Sequence, residues 1–561
     1  MGHTSFQLDR RAFLKAGIGA AGALALGPAF LRRAFAAGPV TAATSPYGDL
    51  RPFDANGIAL PPGFSSREIA RGEIPVEGSV PPYVWHPATD GQATFATLGG
   101  NGAPDGGWIL VANSEMPAPG LGGVSGVEFA PDGTVERAYR VLEGTTANCA
   151  GGPTPWGRWL SCEEHEEGRV WECDPTGLLP GIPRPALGVF NHEAACVDPV
   201  REHVYLTEDD GNGCLYRFTP ASYPDLLAGL LELAVVDASG NVTWTEVPNP
   251  GGGAANPTRE QVAAAAHFDG GEGTWYDDGV VYFTTKGDGR VWAYDVVSSR
   301  LEILYDDSTT ADAPLSGVDN ITVSPSGDIY VCEDGADHDV CMITPDFEIS
   351  RFLKLDPVMH SGPPEGTPFA GNETVGVVFN PRGTRMYFGA QRSFAVAGIP
   401  ELPAGVVYEV SGPFRQPAGG GSGSGGGAGG GGGVGGGGGG GQGSQGGGPS
   451  VELRARRRLR VRRFLRGGLP VALRLDEPVG VKASLRADAQ GRGPTRAVTL
   501  GRARSSVALS GDASILLTPS AGAREFLRGR KRVEARLRVV ATDASGNRTV
   551  TRAKVTLTRP R

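Results

Sequence analysis

From about residue 61 to residue 415 the apolar positions come in short runs broken by Gly, Pro, Asn and Asp. Such runs, rich in Val, Tyr and Phe, predict β-strands. A loose theme recurs in "HEAACVDPVREHVYLTEDDGNGCLYRFTP", "GEGTWYDDGVVYFTTKGDGRVWAYD", "VDNITVSPSGDIYVCEDGADHDVCMITP" and "NETVGVVFNPRGTRMYFGAQRS". Each copy starts on a polar or acidic residue. An apolar strand, a turn, a Tyr-containing strand and a second polar cluster follow. Repeats of this kind predict a six-bladed β-propeller with long insertions, all-β in class; a pair of β-sandwiches is the alternative. Two segments, Pro224–Ala234 and Thr258–Phe268, are the helix candidates.

The pattern changes twice outside this region. Gln416–Ser450 is almost pure Gly and Ser, the composition of a linker with a reach of about 30 Å. Residues 451–561 alternate apolar and charged positions ("RVEARLRVVATD", "RTVTRAKVTLT"), which predicts a small β-sandwich. At the other end, residues 37–60 form a lead with little pattern. Residues 1–36 read as a twin-arginine export signal: Arg10 and Arg11 precede Phe13, Leu14 and Lys15, an Ala/Gly-rich apolar run follows, and Ala34-Phe35-Ala36 suits cleavage. A short membrane anchor is the alternative. The expected location is extracellular or attached to the cell envelope.

Charge separates the same regions. Residues 451–561 hold 27 Lys/Arg and 8 Asp/Glu, so the other 450 residues carry −28 against an overall −9. An acidic body with a basic tail does not suit a simple cytosolic metabolic enzyme. The basic domain is expected to hold the protein on an anionic envelope polymer by electrostatics; a mere Arg-rich bias is the alternative. No nucleic-acid partner is expected, and the chain is expected to be a monomer. The seven cysteines lie between Cys149 and Cys341. Cys162/Cys173, Cys196/Cys214 and Cys332/Cys341 are candidate disulfides with Cys149 left over, or all seven are buried thiols.

Candidate chemistry follows from spacing. Cys149 to Glu163, Glu272 to Lys286 and Asp319 to Glu333 are each 14 residues apart, and Glu193 to Glu208 is 15. If the first residue opens a strand and the second closes its hairpin partner, the two lie side by side away from the turn. In a propeller, Cys149, Glu163, Glu164, Glu193, Glu208, Asp209, Glu272, Asp319, Asn320, Glu333, Asp334 and Glu373 would then converge on one mouth of the channel. Two carboxylates about 4 Å apart repel by about 4 kcal/mol even at an effective dielectric of about 20. Cations are therefore expected: calcium for the oxygen set, and a softer metal such as iron for the one thiolate. Solvated acidic loops are the alternative. "DDGNG" and "EDGADHD" look like calcium loops but lack EF-hand spacing. His192 is a structural or second-sphere histidine. There is no G-x-S-x-G elbow and no P-loop.

The motifs "NCAGGPTPWGRWLSCEE", "NHEAACVDP", "YLTEDDGNGCLYRF", "GEGTWYDDGVVYFTTKGDGRVWAYD" and "GVDNITVSPSGDIYVCEDG" resemble the PhoX family of secreted alkaline phosphatases over roughly residues 61–410. The resemblance implies a six-bladed propeller carrying an iron pair bridged by a thiolate, grouped with calcium ions, hence Ca2+ and Fe3+ as cofactors. It maps the thiolate to Cys149 and the carboxylates to Glu163, Glu164, Glu193 and Glu272, and also to Asp209, Asp319, Glu333 and Glu373, with Asn320 beside them. It implies hydrolysis of small phosphate monoesters by a metal-activated oxygen attacking phosphorus, as in phosphate acquisition. Lys286 and Arg392 are the candidates for orienting the phosphate. The chain departs from the family where Gly270-Gly271 replace an arginine before Glu272. A calcium-dependent propeller acting on another ester, such as a lactone, and a non-catalytic surface binding protein are the alternatives.

Overall fold

The computed structural model describes residues 40–416, apart from 100–103, 336, 364–370 and 397–398, and most of 451–558. The expected export signal and nearly all of the Gly/Ser segment lie outside the described residues. The fold is all-β, built from several mainly antiparallel sheets.

Residues 41–411 make six sheets, each organised around an inner hairpin. The inner strands pair as β1 (Thr89–Leu98) with β2 (Pro104–Ser114), β3 (Asn148–Pro153) with β4 (Trp159–Glu163), and β5 (His192–Asp198) with β6 (His203–Glu208). They continue as β7 (Gly271–Asp277) with β8 (Val280–Thr285), β9 (Val318–Val323) with β10 (Ile329–Glu333), and β11 (Thr374–Phe379) with β12 (Arg385–Val396). Each first strand neighbours the first strand of the next sheet, and β11 returns to β1. The sixth sheet is completed by Ser65–Arg71 from the N-terminal side, antiparallel to Ile399–Ser411. This joins the two ends of the region.

Packing explains the order. Apolar clusters fill each interface between neighbouring sheets. Leu160 and Cys162 meet Ala195 and Leu206; Tyr205 and Leu215 meet Tyr294; Val378 and Tyr387 meet Trp108 and Leu110. A strand with both faces covered buries side chains of either parity, which is why these strands read as apolar runs rather than as strict alternation.

Three expectations are corrected. Asp225–Val236 is a strand paired on both edges, with Leu226, Leu231 and Leu233 buried, and Thr258–Glu260 is a single short turn of 3-10 helix. Neither helix candidate forms, because two strand partners satisfy the backbone of the first and the second lacks a continuous apolar face. The N-terminal lead is also patterned: Thr41–Ala42 and Ile58–Ala59 pair with Glu348–Leu355. Finally, all seven cysteines are free and buried. Each expected pair is split between two cores. Cys332 stands opposite Val340 and Cys341 opposite Val331, so the two thiols point to opposite faces of their sheet.

In the C-terminal region, Val451–Ala455, Leu469–Leu475 and Gly511–Pro519 pair with one another. Gly511–Pro519 also pairs with Arg496–Val507, and the same eight-stranded sheet continues through β13 (Val479–Ala489), β14 (Arg532–Thr542) and β15 (Arg548–Thr558). Val471, Leu473, Leu485, Leu517, Leu537 and Leu557 share one core. Among the described residues no helix is long and apolar enough to cross a membrane.

Candidate metal centre

One local feature recurs in all six inner hairpins. Each first strand loses register just after its opening pair: between Thr89 and Gln92, Asn148 and Gly151, His192 and Ala195, Gly271 and Thr274, Val318 and Ile321, and Val375 and Val378. Such a bulge re-aims the side chain it contains. The residues carried by the first five are Asp90, Cys149, Glu193, Glu272 and Asp319. Small residues follow the first four because the strands crowd there. A Cβ on Gly91 would sit 2.5 Å from the Ala150 Cα, and one on Gly273 would sit 2.7 Å from the Asn320 Cα. Gly376, in the sixth bulge, has φ +61°, which favours glycine.

A second layer comes from the residue just past each closing position of the partner strand: Glu115, Glu164, Asp209, Lys286, Asp334 and Gln391. The two layers meet. Ligand atoms of Cys149, Glu164 and Glu193 lie within 4.8 Å of one another, as do those of Glu193, Glu272 and Asp319, and those of Asp90, Glu115 and Glu373. Cys149 Sγ is 3.3 Å from Glu193 Oε1. Gln391 Nε2 donates to Asp90 and, at 2.9 Å, to Glu115. Asn320 donates to Asp319 at 2.9 Å and accepts from the Gly376 N–H.

Two cations enter this ring. Lys286 Nζ lies 2.7 Å from Glu272, 2.8 Å from Asp209 and 3.8 Å from Asp334. Arg392 lies 2.8 Å from Glu373 and 3.7 Å from Glu115. They do not balance the nine carboxyl groups of Asp90, Glu115, Glu164, Glu193, Asp209, Glu272, Asp319, Asp334 and Glu373. Burial, and then the mutual repulsion of neighbours, pushes Asp90, Glu164, Glu193 and Asp319 well above the usual carboxylate range. Burial lifts Glu272 to about 8 despite Lys286 beside it. Burial followed by Asp90 and Glu193 pushes the Cys149 thiol upward too. Burial opposes the charge of Lys286, but Glu272 and Asp209 overcome it and raise its pKa.

The donor set fits bound cations. Glu193 Oε2 and Gln391 Oε1 are buried with no hydrogen-bond partner. A buried polar atom left unpaired is costly, and a cation would satisfy both. A carboxylate and amide set suits a hard ion, while the thiol adds one soft ligand.

Other expected ligands point elsewhere. Glu163 accepts from the backbone N–H groups of Thr146 (3.0 Å) and Arg169 (3.3 Å). Glu333 accepts from those of Ser316 (2.7 Å) and Asp339 (3.0 Å), and groups with Asp337 and Asp339 instead of the ring. Glu208 is held by Tyr216 (2.6 Å), the Cys214 N–H (3.1 Å) and Arg259 (2.9 Å). These acids brace their hairpins, and the residue after each one enters the ring. His192 packs on Phe190 with Nε2 3.2 Å from the Gly188 carbonyl, and burial holds its pKa down to about 3. Asp90, Glu115 and Gln391 were not anticipated. Asp90 precedes a glycine just as Glu272 does, but its partner Glu115 is 25 residues on, beyond the recurring 14.

At the other end of the inner strands a cavity of about 550 Å3 is lined by Phe95, Trp275, Val323 and Phe379, and none of the ring acids reaches it.

No curated protein matches the chain. Among solved structures, a gluconolactonase from Xanthomonas campestris is similar at 11% identity and TM-score 0.36, over 66% of this chain and 99% of that one. A protein of unknown function from Bacteroides thetaiotaomicron gives 11% and 0.37, over 62% and 76%. These likenesses do not bear on the chemistry of the ring. Residues 132–393 match the family described as alkaline phosphatase PhoX. That segment carries Cys149, Glu164, Glu193, Asp209, Glu272, Asp319, Asp334, Glu373 and Arg392, so most of the ring lies within the part of the chain that is similar to this family.

Proposed function

We propose that the chain is an exported, metal-dependent phosphatase that hydrolyses phosphate monoesters. The observation that carries this reading is the ring of nine carboxyl groups and one thiol, five of whose members sit on successive bulges, most of it within a segment that matches the PhoX family. On this reading the six sheets are the blades of a propeller spanning residues 61–415, and the ring lines one mouth of its channel. Residues 416–450 link it to a basic β-sandwich at 451–561. The N-terminal 36 residues act as the twin-arginine signal.

Cys149, Glu164 and Glu193 would hold iron, and Glu193, Glu272, Asp319, Asp90, Glu115 and Glu373 would hold calcium. When bound, these ions supply positive charge for the phosphoryl oxygens and activate the attacking oxygen. The chain's own residues set the rest. Lys286, kept protonated by Glu272 and Asp209, presents N–H donors at one side of the ring. Arg392 presents its fork at the other, a geometry suited to two phosphate oxygens. Gln391 holds Asp90 and Glu115 in place. Gly270, with φ +67°, leaves the approach to Glu272 open; a Cβ there would sit 3.0 Å from the Lys286 Cγ.

The test is phosphate release from p-nitrophenyl phosphate at alkaline pH, with and without calcium, beside hydrolysis of a simple lactone. The reading expects phosphate release that a chelator stops. Lactone hydrolysis without phosphate release, or full activity in metal-free protein, overturns it.

A further inference from the structure

We propose that the outer face of the sheet formed by β13, β14 and β15 is a binding surface for a phosphodiester-linked polymer of the cell envelope. Strand alternation makes this face. On β14, Val533, Ala535, Leu537, Val539 and Ala541 point into the core, while Arg536 and Arg538 are exposed. On β15, Val555 and Leu557 are buried, and Arg548, Arg552 and Lys554 are exposed. On β13, Val481, Ala483, Leu485 and Ala487 are buried, leaving Arg486 exposed and Lys482 half-buried.

Register then stacks the charges. Arg486, Arg536 and Lys554 form one rung across the three strands, and Arg538 and Arg552 stand opposite each other two residues away. Neighbouring strands are about 4.8 Å apart, and alternate residues about 6.8 Å apart along a strand. Like charges directly opposite one another weaken a sheet. Among the residues whose side chains are described, the one acid on this face is Glu534. It sits at the end of the sheet, 2.9 Å from Arg532. A polyanion lying across Arg538 and Arg552 removes the repulsion between that pair.

Chemistry narrows the partner. The domain holds 24 Arg against 3 Lys. A guanidinium fork pairs with two oxygens of one phosphate, whereas an ammonium is a point charge. The domain exposes no large apolar side chain among the described ones, so nothing is offered to a bilayer interior. Among the described residues no aromatic lies on the face to stack on sugar rings. Recognition therefore rests on charge alone, which favours a polymer with a full charge in each repeat. The expected export signal places that polymer outside the cell and not among nucleic acids.

The test uses the mature full-length protein and purified polyglycerol phosphate. The variant Arg486→Gln/Arg538→Gln/Arg552→Gln removes three charges from the face, and Arg528→Gln/Arg530→Gln/Lys531→Gln removes three exposed charges elsewhere in the domain. Circular dichroism checks that both remain folded. The face variant should bind about tenfold more weakly or worse at low salt, with the loss shrinking as salt rises, while the other variant and phosphatase activity stay near wild type. Equal losses in the two variants, no binding by wild type, or tighter binding to duplex DNA, alginate or anionic vesicles than to polyglycerol phosphate overturns the proposal.

Discussion

Glu163 and Glu164 are neighbours in one chain, yet they belong to different parts of the molecule. Glu163, with Glu208 and Glu333, faces donors supplied by the protein: backbone N–H groups, Tyr216 and Arg259. Glu164 enters the ring, where Glu193 keeps a buried oxygen with no partner at all. An acid whose oxygens are all satisfied by the chain is a brace. An acid buried among other acids and left short of donors is one that could hold a cation. Residue type does not separate the two; the inventory of donors does.

That contrast can be broken by substitution. Cys149→Ala should remove iron and lower phosphatase turnover by at least ~100-fold, since even residues that only support metal ligands cost 10–100-fold. Its stability should hardly change, because the thiol packs against carboxylates and not in an apolar core. Near-normal turnover would remove Cys149 from the centre. Glu208→Gln should do the reverse. It breaks a buried ion pair with Arg259, which Asp210 only partly replaces, at a cost of about 3 kcal/mol. Turnover per folded molecule should survive, as read by denaturant melts beside active-site titration.

Metal removal sharpens the same contrast through pH. Asp90, Glu115, Glu164, Glu193, Glu272, Asp319 and Glu373 have folded-state pKa values raised above their unfolded ones, so the native state binds more protons. Without metal, stability should therefore be greatest below the ordinary carboxylate range and fall as pH rises toward about 8, the value for Glu272. Calcium should abolish that slope. Melting temperatures at pH 5 and pH 8 with chelator or calcium read this; a chelated protein equally stable at both would contradict it. Lys286→Gln should then cost about tenfold in turnover, since it loses a charge beside the substrate but no ligand. Smallest of all, Glu163→Gln should cost about 1 kcal/mol, because one amide oxygen still accepts a backbone N–H.

The sequence made the hairpin repeat legible through its spacing of 14 or 15 residues, which singled out Cys149, Glu193, Glu272 and Asp319. It could not say which of two adjacent acids turns inward at the far end of each hairpin. Strand parity decides that, and the bulge on the partner strand resets the parity. The same parity defeated the cysteine pairs, whose members point into different cores. Asp90 and Glu115 escaped because their hairpin is longer. The leucines of 225–236 suggested a helix until strand partners on both edges claimed its backbone.

The central claim is that the ring is a metal centre. Elemental analysis of wild-type protein purified from its native cells, beside Cys149→Ala prepared in the same way, tests it most directly. The account predicts calcium and iron in the wild type, and calcium with little iron in the variant. A folded wild-type protein containing neither metal would contradict it.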